Sequence, residues 1–239
     1  MKTRLQNLLL TIIASAVVFC FFTGCGKKET SKDSIPDNGN RTEALTNEQE
    51  DKKEIKLPEK NSPEEYYNYG VENIKKGRFE EAIAAWEKAL EIDPTFDKVF
   101  PKLGKAYYTL GEFNKAGEVY RKELEFKPND PTVYFSLGVV YRMNEQFDDA
   151  VRMQQKALTL NPDFASAYNE LGLTYSKQKR LDEAITAHKN ALTLDPNLGN
   201  AHNYLGVVYL LKGMSAEAEK EFEEYKKFEA AKSGAPPAH

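Results

Sequence analysis

The residues able to do acid–base, metal or nucleophilic chemistry are few and far apart. Histidine occurs only at 188, 202 and 239, and cysteine only at 20 and 25. No two histidines have the i, i+4 spacing of a zinc helix, and no cysteine stands near them to complete a ligand set. The run Gly24-Cys25-Gly26-Lys27-Lys28 lacks the Gly-x4-Gly-Lys-Ser/Thr frame that cradles a phosphate. Carboxylates are plentiful but scattered along helix exteriors, as in EAEKEFEEYKK from Glu217 to Lys227. The residues therefore lead us to expect no enzyme, cofactor, metal site or small-molecule substrate. Net charge is −4, and subtracting Lys2 and Arg4 leaves −6. A nucleic-acid partner, which calls for a basic excess, is not expected. What does have a pattern is recognition chemistry. Lys98, Lys102 and Lys105 recur at i, i+4 and i+7, which puts three cations on one face of a helix.

The elements that must position such a row begin after a distinct N-terminal third. Behind Lys2 and Arg4, Leu8 to Phe22 carry no charge. Fifteen residues make roughly 22 Å of helix, short for a bilayer core of about 30 Å. The order is that of a signal peptide: a basic start, an apolar run, then the small residues Thr23 and Gly24 before Cys25. Phe22-Thr23-Gly24-Cys25 resembles the lipobox of a bacterial lipoprotein signal, with Phe where Leu is more usual. That resemblance implies a signal peptide over 1–24 and a lipid such as palmitate on Cys25. It also implies an envelope location anchored in a lipid bilayer. Gly26 is not the Asp that retains lipoproteins at the inner membrane, which points to the outer one.

Residues 26–62 hold eight Lys or Arg and nine Asp or Glu but no aromatic residue. Such a segment cannot bury enough apolar surface to offset its ordering entropy. We expect 25–62 to be a disordered tether behind the acylated cysteine, and the last residues, 233–239, to be a disordered tail.

Between them the chain repeats. Pro94, Pro128, Pro162 and Pro196 are 34 residues apart and mark windows 63–96, 97–130, 131–164, 165–198 and 199–232. Numbering places from each window's first residue, place 4 holds Tyr66, Phe100, Tyr134, Tyr168 and His202. Place 8 holds Gly70, Gly104, Gly138, Gly172 and Gly206, and place 20 holds Ala82, Ala116, Ala150, Ala184 and Ala218. Place 11 is Tyr in four windows and Asn73 in the first. Apolar spacings of three and four predict two helices per window. Small residues at places 8 and 20 let those helices approach closely, and the late proline stops the second. Ser62, Pro63 and Glu65 form the capping signal of the first helix.

This period and pattern resemble the tetratricopeptide repeat. The resemblance implies an all-α, right-handed solenoid of five helix-turn-helix repeats. It also implies a concave groove, lined by the first helix of each repeat, that holds a peptide or a partner helix. The groove places carry Lys98, Lys102 and Lys105 in repeat 2, and Phe135, Val139 and Arg142 in repeat 3. They carry Asn169 and Leu173 in repeat 4, and Asn203 and Val207 in repeat 5. The lysines would attract carboxylates, and Asn169 could offer a bound backbone both a donor and an acceptor. The chaperone-tail carboxylate clamp of some members is not reproduced in register. His188 and His202 occupy packing places. Polar residues at Glu65 and Asn73, and at Glu219 and Lys226, are expected at solvent-facing ends of the stack. Repeat 2 is expected to be the weakest, with Pro101 about one turn into its first helix and Gly117 inside its second.

These features together predict a non-catalytic, membrane-anchored scaffold for protein–protein interaction, acting in assembly or as an adaptor. The alternative is a surface-exposed lipoprotein that binds host or matrix molecules.

Overall fold

The computed structural model describes residues 55–233, and the expected signal peptide, Cys25 and the residues beyond Ser233 lie outside them. Among the described residues, ten α-helices alternate as A and B members of five antiparallel pairs. Repeat 1 is α1 (Pro63–Lys75) and α2 (Phe79–Ile92). Repeat 2 is α3 (Phe100–Thr109) and α4 (Phe113–Phe126), and repeat 3 is α5 (Pro131–Met143) and α6 (Phe147–Leu160). Repeat 4 is α7 (Ala165–Lys177) and α8 (Leu181–Leu194), and repeat 5 is α9 (Gly199–Leu211) and α10 (Ser215–Ser233). No helix among the described residues is long and apolar enough to cross a membrane.

Inside each repeat the glycine at place 8 is covered by the side chain at place 24. A Cβ on Gly70 would lie 2.3 Å from the Trp86 ring, and on Gly104 2.6 Å from Tyr120. On Gly138 it would lie 2.8 Å from Gln154, on Gly172 2.7 Å from His188, and on Gly206 2.8 Å from Phe222. The five alanines at place 20 are fully buried. Each A–B turn carries a left-handed residue at place 15, supplied by Gly77, Gly111 and Gly213 but by Glu145 and Lys179 in repeats 3 and 4.

Between repeats, two ladders recur. The side chain at place 25 meets the place-11 tyrosine of the next repeat. Glu87 accepts from Tyr107, Arg121 donates to Tyr141 at 3.3 Å, and Gln155 donates to Tyr175 at 3.2 Å. Lys189 stands 5.7 Å above the Tyr209 ring. Burial first, and then Glu87, pushes the Tyr107 phenol well above its ordinary range. At the turn edge, place 14 of one repeat reaches place 18 of the one before. Asn144 donates to Asn114 at 3.0 Å, Gln178 donates to Asp148 at 2.7 Å, and Lys212 pairs with Asp182. Adjacent A helices touch, α5 with α7 and α7 with α9, which adjacent B helices do not do to the same degree. In repeats 3 to 5 the A helices therefore line the tighter, inner radius.

The structure corrects four sequence expectations. Residues 55–62 are not free tether, because Leu57 packs on the core and the Lys60 amide donates to the Tyr66 hydroxyl at 3.2 Å. Pro101 is not a turn inside a helix. Asp97–Val99 form a 3-10 turn and α3 starts only at Phe100, so the missing donor of Pro101 falls where no helical bond is due. Asn73 is buried and its amide donates to the Tyr69 carbonyl at 2.9 Å, so the solvent-facing residue there is its exposed neighbour Glu72. Glu65, Glu219 and Lys226 are exposed as expected. The last helix runs one residue further than expected, to Ser233.

Gly117 differs from the place-8 glycines. A methyl there would meet Val140 at 3.5 Å, an ordinary contact. Gly117→Ala is expected to stabilise the array by about 1 kcal/mol. Gly104→Ala, which drives into the Tyr120 ring, is expected to cost about 1–3 kcal/mol. Urea midpoints of the two variants check this opposition of sign.

Candidate functional site: the inner face of the A helices

The inner face is built from A-helix places that helical geometry turns away from the B layer. In repeat 2, Lys98, Lys102 and Lys105 are all exposed. Lys98 is engaged: its ammonium lies 3.2 Å from Glu64 of repeat 1 and 5.6 Å above the Phe96 ring. Lys102 and Lys105 have no ion-pair partner among the described residues. Next to them along the array, Phe135 and Val139 of α5 are half-buried. The Phe135 ring packs on Phe164 with centroids 4.9 Å apart.

Repeats 3 to 5 treat charge differently. Arg142 sends Nε at 3.0 Å and Nη2 at 2.9 Å to one oxygen, Oε2, of Glu170 in the next repeat. The two side chains are only 16% and 19% exposed, so solvent screens the pair weakly. Lys177 and Tyr204 complete this cluster. Burial first, then Arg142, lowers the Lys177 ammonium. Burial first, then Glu170, raises the Tyr204 phenol. The cation of repeat 3 is thus neutralised within the chain, whereas two of repeat 2 are not.

Asn169, Leu173 and Val207 are buried, and Asn203 is half-buried. Asn169 departs from its expected role. Its Oδ1 lies 2.9 Å from His188 Nδ1 in the A–B interface, so one acceptor site of the amide is already taken within the chain. His188, read from sequence as a half-buried packing residue, has no exposure at all. His202 is half-buried as expected, between Glu221 at 2.7 Å and the Pro196 carbonyl at 3.2 Å. Sequence reasoning missed Glu170 and Tyr204. The 28-residue offset between Arg142 and Glu170, opposite charges at places 12 and 6 of successive windows, was the available signal.

Family models described as TPR repeat match residues 72–111 and 104–145. Models described as tetratricopeptide repeat match 131–164 and 165–198. Among solved structures, a crystal structure of MamA is 32% identical, with a TM-score of 0.63, covering 69% of this chain and 96% of that one. MamA from Desulfovibrio magneticus RS-1, residues 41 to the end, is 25% identical with a TM-score of 0.65, covering 71% and 96%. YrrB, described as a TPR protein with an unusual peptide-binding site, is 24% identical with a TM-score of 0.55, covering 68% and 84%. No curated protein matches.

The Arg142–Glu170 pair spans a repeat junction, so its value is measurable as a coupling. Arg142→Gln and Glu170→Gln are each expected to destabilise, and the double variant to cost less than their sum by about 1 kcal/mol. A double-mutant cycle in urea reads it.

Proposed function

Because this chain belongs to the tetratricopeptide-repeat family, we propose that it is a scaffold whose inner face holds a segment of another protein. The fold and its relatives support protein–protein interaction as the general role. The observation that carries the finer reading is the pair Lys102 and Lys105, exposed and lacking an acidic partner among the described residues, with the half-buried apolar Phe135 and Val139 on the A helix of the following repeat. Two cations three residues apart on a helix suit two neighbouring carboxylates of an extended segment. Phe135 and Val139 supply desolvated contact for an apolar side chain next to them. A flat lipid surface cannot reach the inner radius of a curved array, which favours a protein segment over a membrane as occupant.

The same proposal includes an anchor. Acylation at Cys25 would hold the array at the bacterial envelope, in the outer membrane, where its partner segment would also be found. One buried acyl chain contributes about 0.8 kcal/mol per methylene.

Site-specific photo-crosslinking in cells tests the site. A photoreactive residue at Val139 is expected to yield a discrete protein adduct, and one at Arg152, exposed on the outer B layer, is not. Lys102→Ala with Lys105→Ala should reduce the adduct severalfold. Equal adducts from both faces would overturn the site. Cys25→Ala is expected to abolish incorporation of labelled fatty acid, and unchanged labelling would overturn the anchor.

A further inference from the structure

Four repeats fill place 24 with a side chain that stays uncharged through mild acid: Trp86, Tyr120, Gln154 and Phe222. Repeat 4 alone puts an imidazole there. His188 has no exposure, and its ring fills the space over Gly172. Its Nδ1 faces the Oδ1 of Asn169 at 2.9 Å. A carbonyl oxygen only accepts, so Nδ1 carries the proton and donates. Nε2 is then a bare lone pair, and it is buried with no hydrogen-bond partner among the described residues.

The two elements packed against α8 are α7 and α9. Neither places an acceptor within hydrogen-bond reach of Nε2. Of their charged and titratable groups, Glu170 is held by Arg142, His202 by Glu221, and Tyr209 lies under Lys189. Lys177 is itself a cation. The Tyr204 ring packs beside the imidazole, with centroids 6.0 Å apart, and burial raises its phenol. Burial alone acts on the imidazole, pushing it down to about 3. A protonated His188 would leave an N–H and a charge unpaired in a dry interface, so protonation requires that interface to open.

We propose that His188 is an acid-operated latch between the two helices of repeat 4, behind its inner wall. Neutral, it holds the Asn169 amide and the α7–α8 packing; protonated, it lets both go. Release of a segment bound at that wall is the functional consequence, and this clause alone rests on the function proposed above. Repeat arrays suit such a device, because each repeat contacts only its neighbours and can open without the rest.

Folding lowers the imidazole below its ordinary 6.5, so the latch is fully set above that pH and weakens as pH falls toward about 3. Opening places the ring in water, where it titrates near 6.5. The opening equilibrium should therefore grow on the order of 20-fold between about pH 7 and about pH 5.

Hydrogen exchange on the full chain tests this, with the native protein and His188→Gln compared at each pH so that intrinsic rates cancel. Gln154 fills the same place in repeat 3, so the substitution should be tolerated. His188→Phe repeats the test with the kind of ring that Phe222 supplies in repeat 5, which has no proton to gain. Between about pH 7 and about pH 5, amides of α7 and α8 in the native protein should gain about 20-fold over either variant. Amides of repeats 1 and 2 should show no such gain. The same pH response in native and variant proteins, or a gain spread evenly over all five repeats, would overturn the latch. Crosslinking at Val139 at both pH values reads the consequence separately. A pH-indifferent adduct beside a confirmed opening would remove the release clause and leave the latch standing.

Discussion

Everything in this array depends on how closely the two helices of a repeat can approach. A glycine at place 8 and an alanine at place 20 remove the bulk between them, and one large side chain at place 24 then fills the remaining space. The packing is a fit of shape to vacancy, so the identity of the filler can change as long as its volume suits. Trp86, Tyr120, Gln154, His188 and Phe222 share almost no chemistry, yet all lie over the same glycine. That tolerance is what allows a titratable ring or a buried amide to enter the core without disturbing the repeat.

Stacking uses a second device. The place-25 to place-11 contacts and the place-14 to place-18 contacts join each repeat to the next at two heights. Because these links lie at the B layer and at the turn edge, the inner face takes little part in holding the stack together. Its residues are free to vary, and they do: cations in repeat 2, an aromatic pair and a neutralised arginine in repeat 3, amides in repeats 4 and 5. The Arg142–Glu170 and Lys98–Glu64 pairs are exceptions, junction contacts made on the inner face itself.

The repeat count, the helix pairing and the close-approach places were legible in the sequence, because a 34-residue period multiplies one weak signal five times. Place 24 was legible as a packing place at His188, but its role as the cover of the place-8 glycine was not, since five unrelated residues leave no pattern. The place-25 ladder was hidden for the same reason: its members are Glu87, Arg121, Gln155 and Lys189, and only the tyrosine side is constant. Counting places also misled at two points. Asn73 is one residue past the outward position, and at about 100° per residue that turns it into the core. Pro101 was placed by period as if α3 began at Asp97, whereas a 3-10 turn delays the helix until the proline is harmless. Of the inner-face candidates, the lysines of repeat 2 were legible because exposure follows directly from i, i+4, i+7 spacing. The commitment of Asn169 to His188 was not, because it depends on a contact across nineteen residues that no local rule encodes.

That delayed start of α3 bears on the junction between repeats 1 and 2. Asp97–Val99 are wound too tightly to lay a full helical surface against repeat 1, and the contact between α2 and α3 is the sparsest of the four junctions. The junction is sealed nonetheless, because Val99 of that turn is fully buried in one core cluster with Ile83, Trp86 and Ala89 of repeat 1. The Lys98–Glu64 ion pair crosses this same junction, so the first lysine of the basic strip is tied to repeat 1 while Lys102 and Lys105 are not.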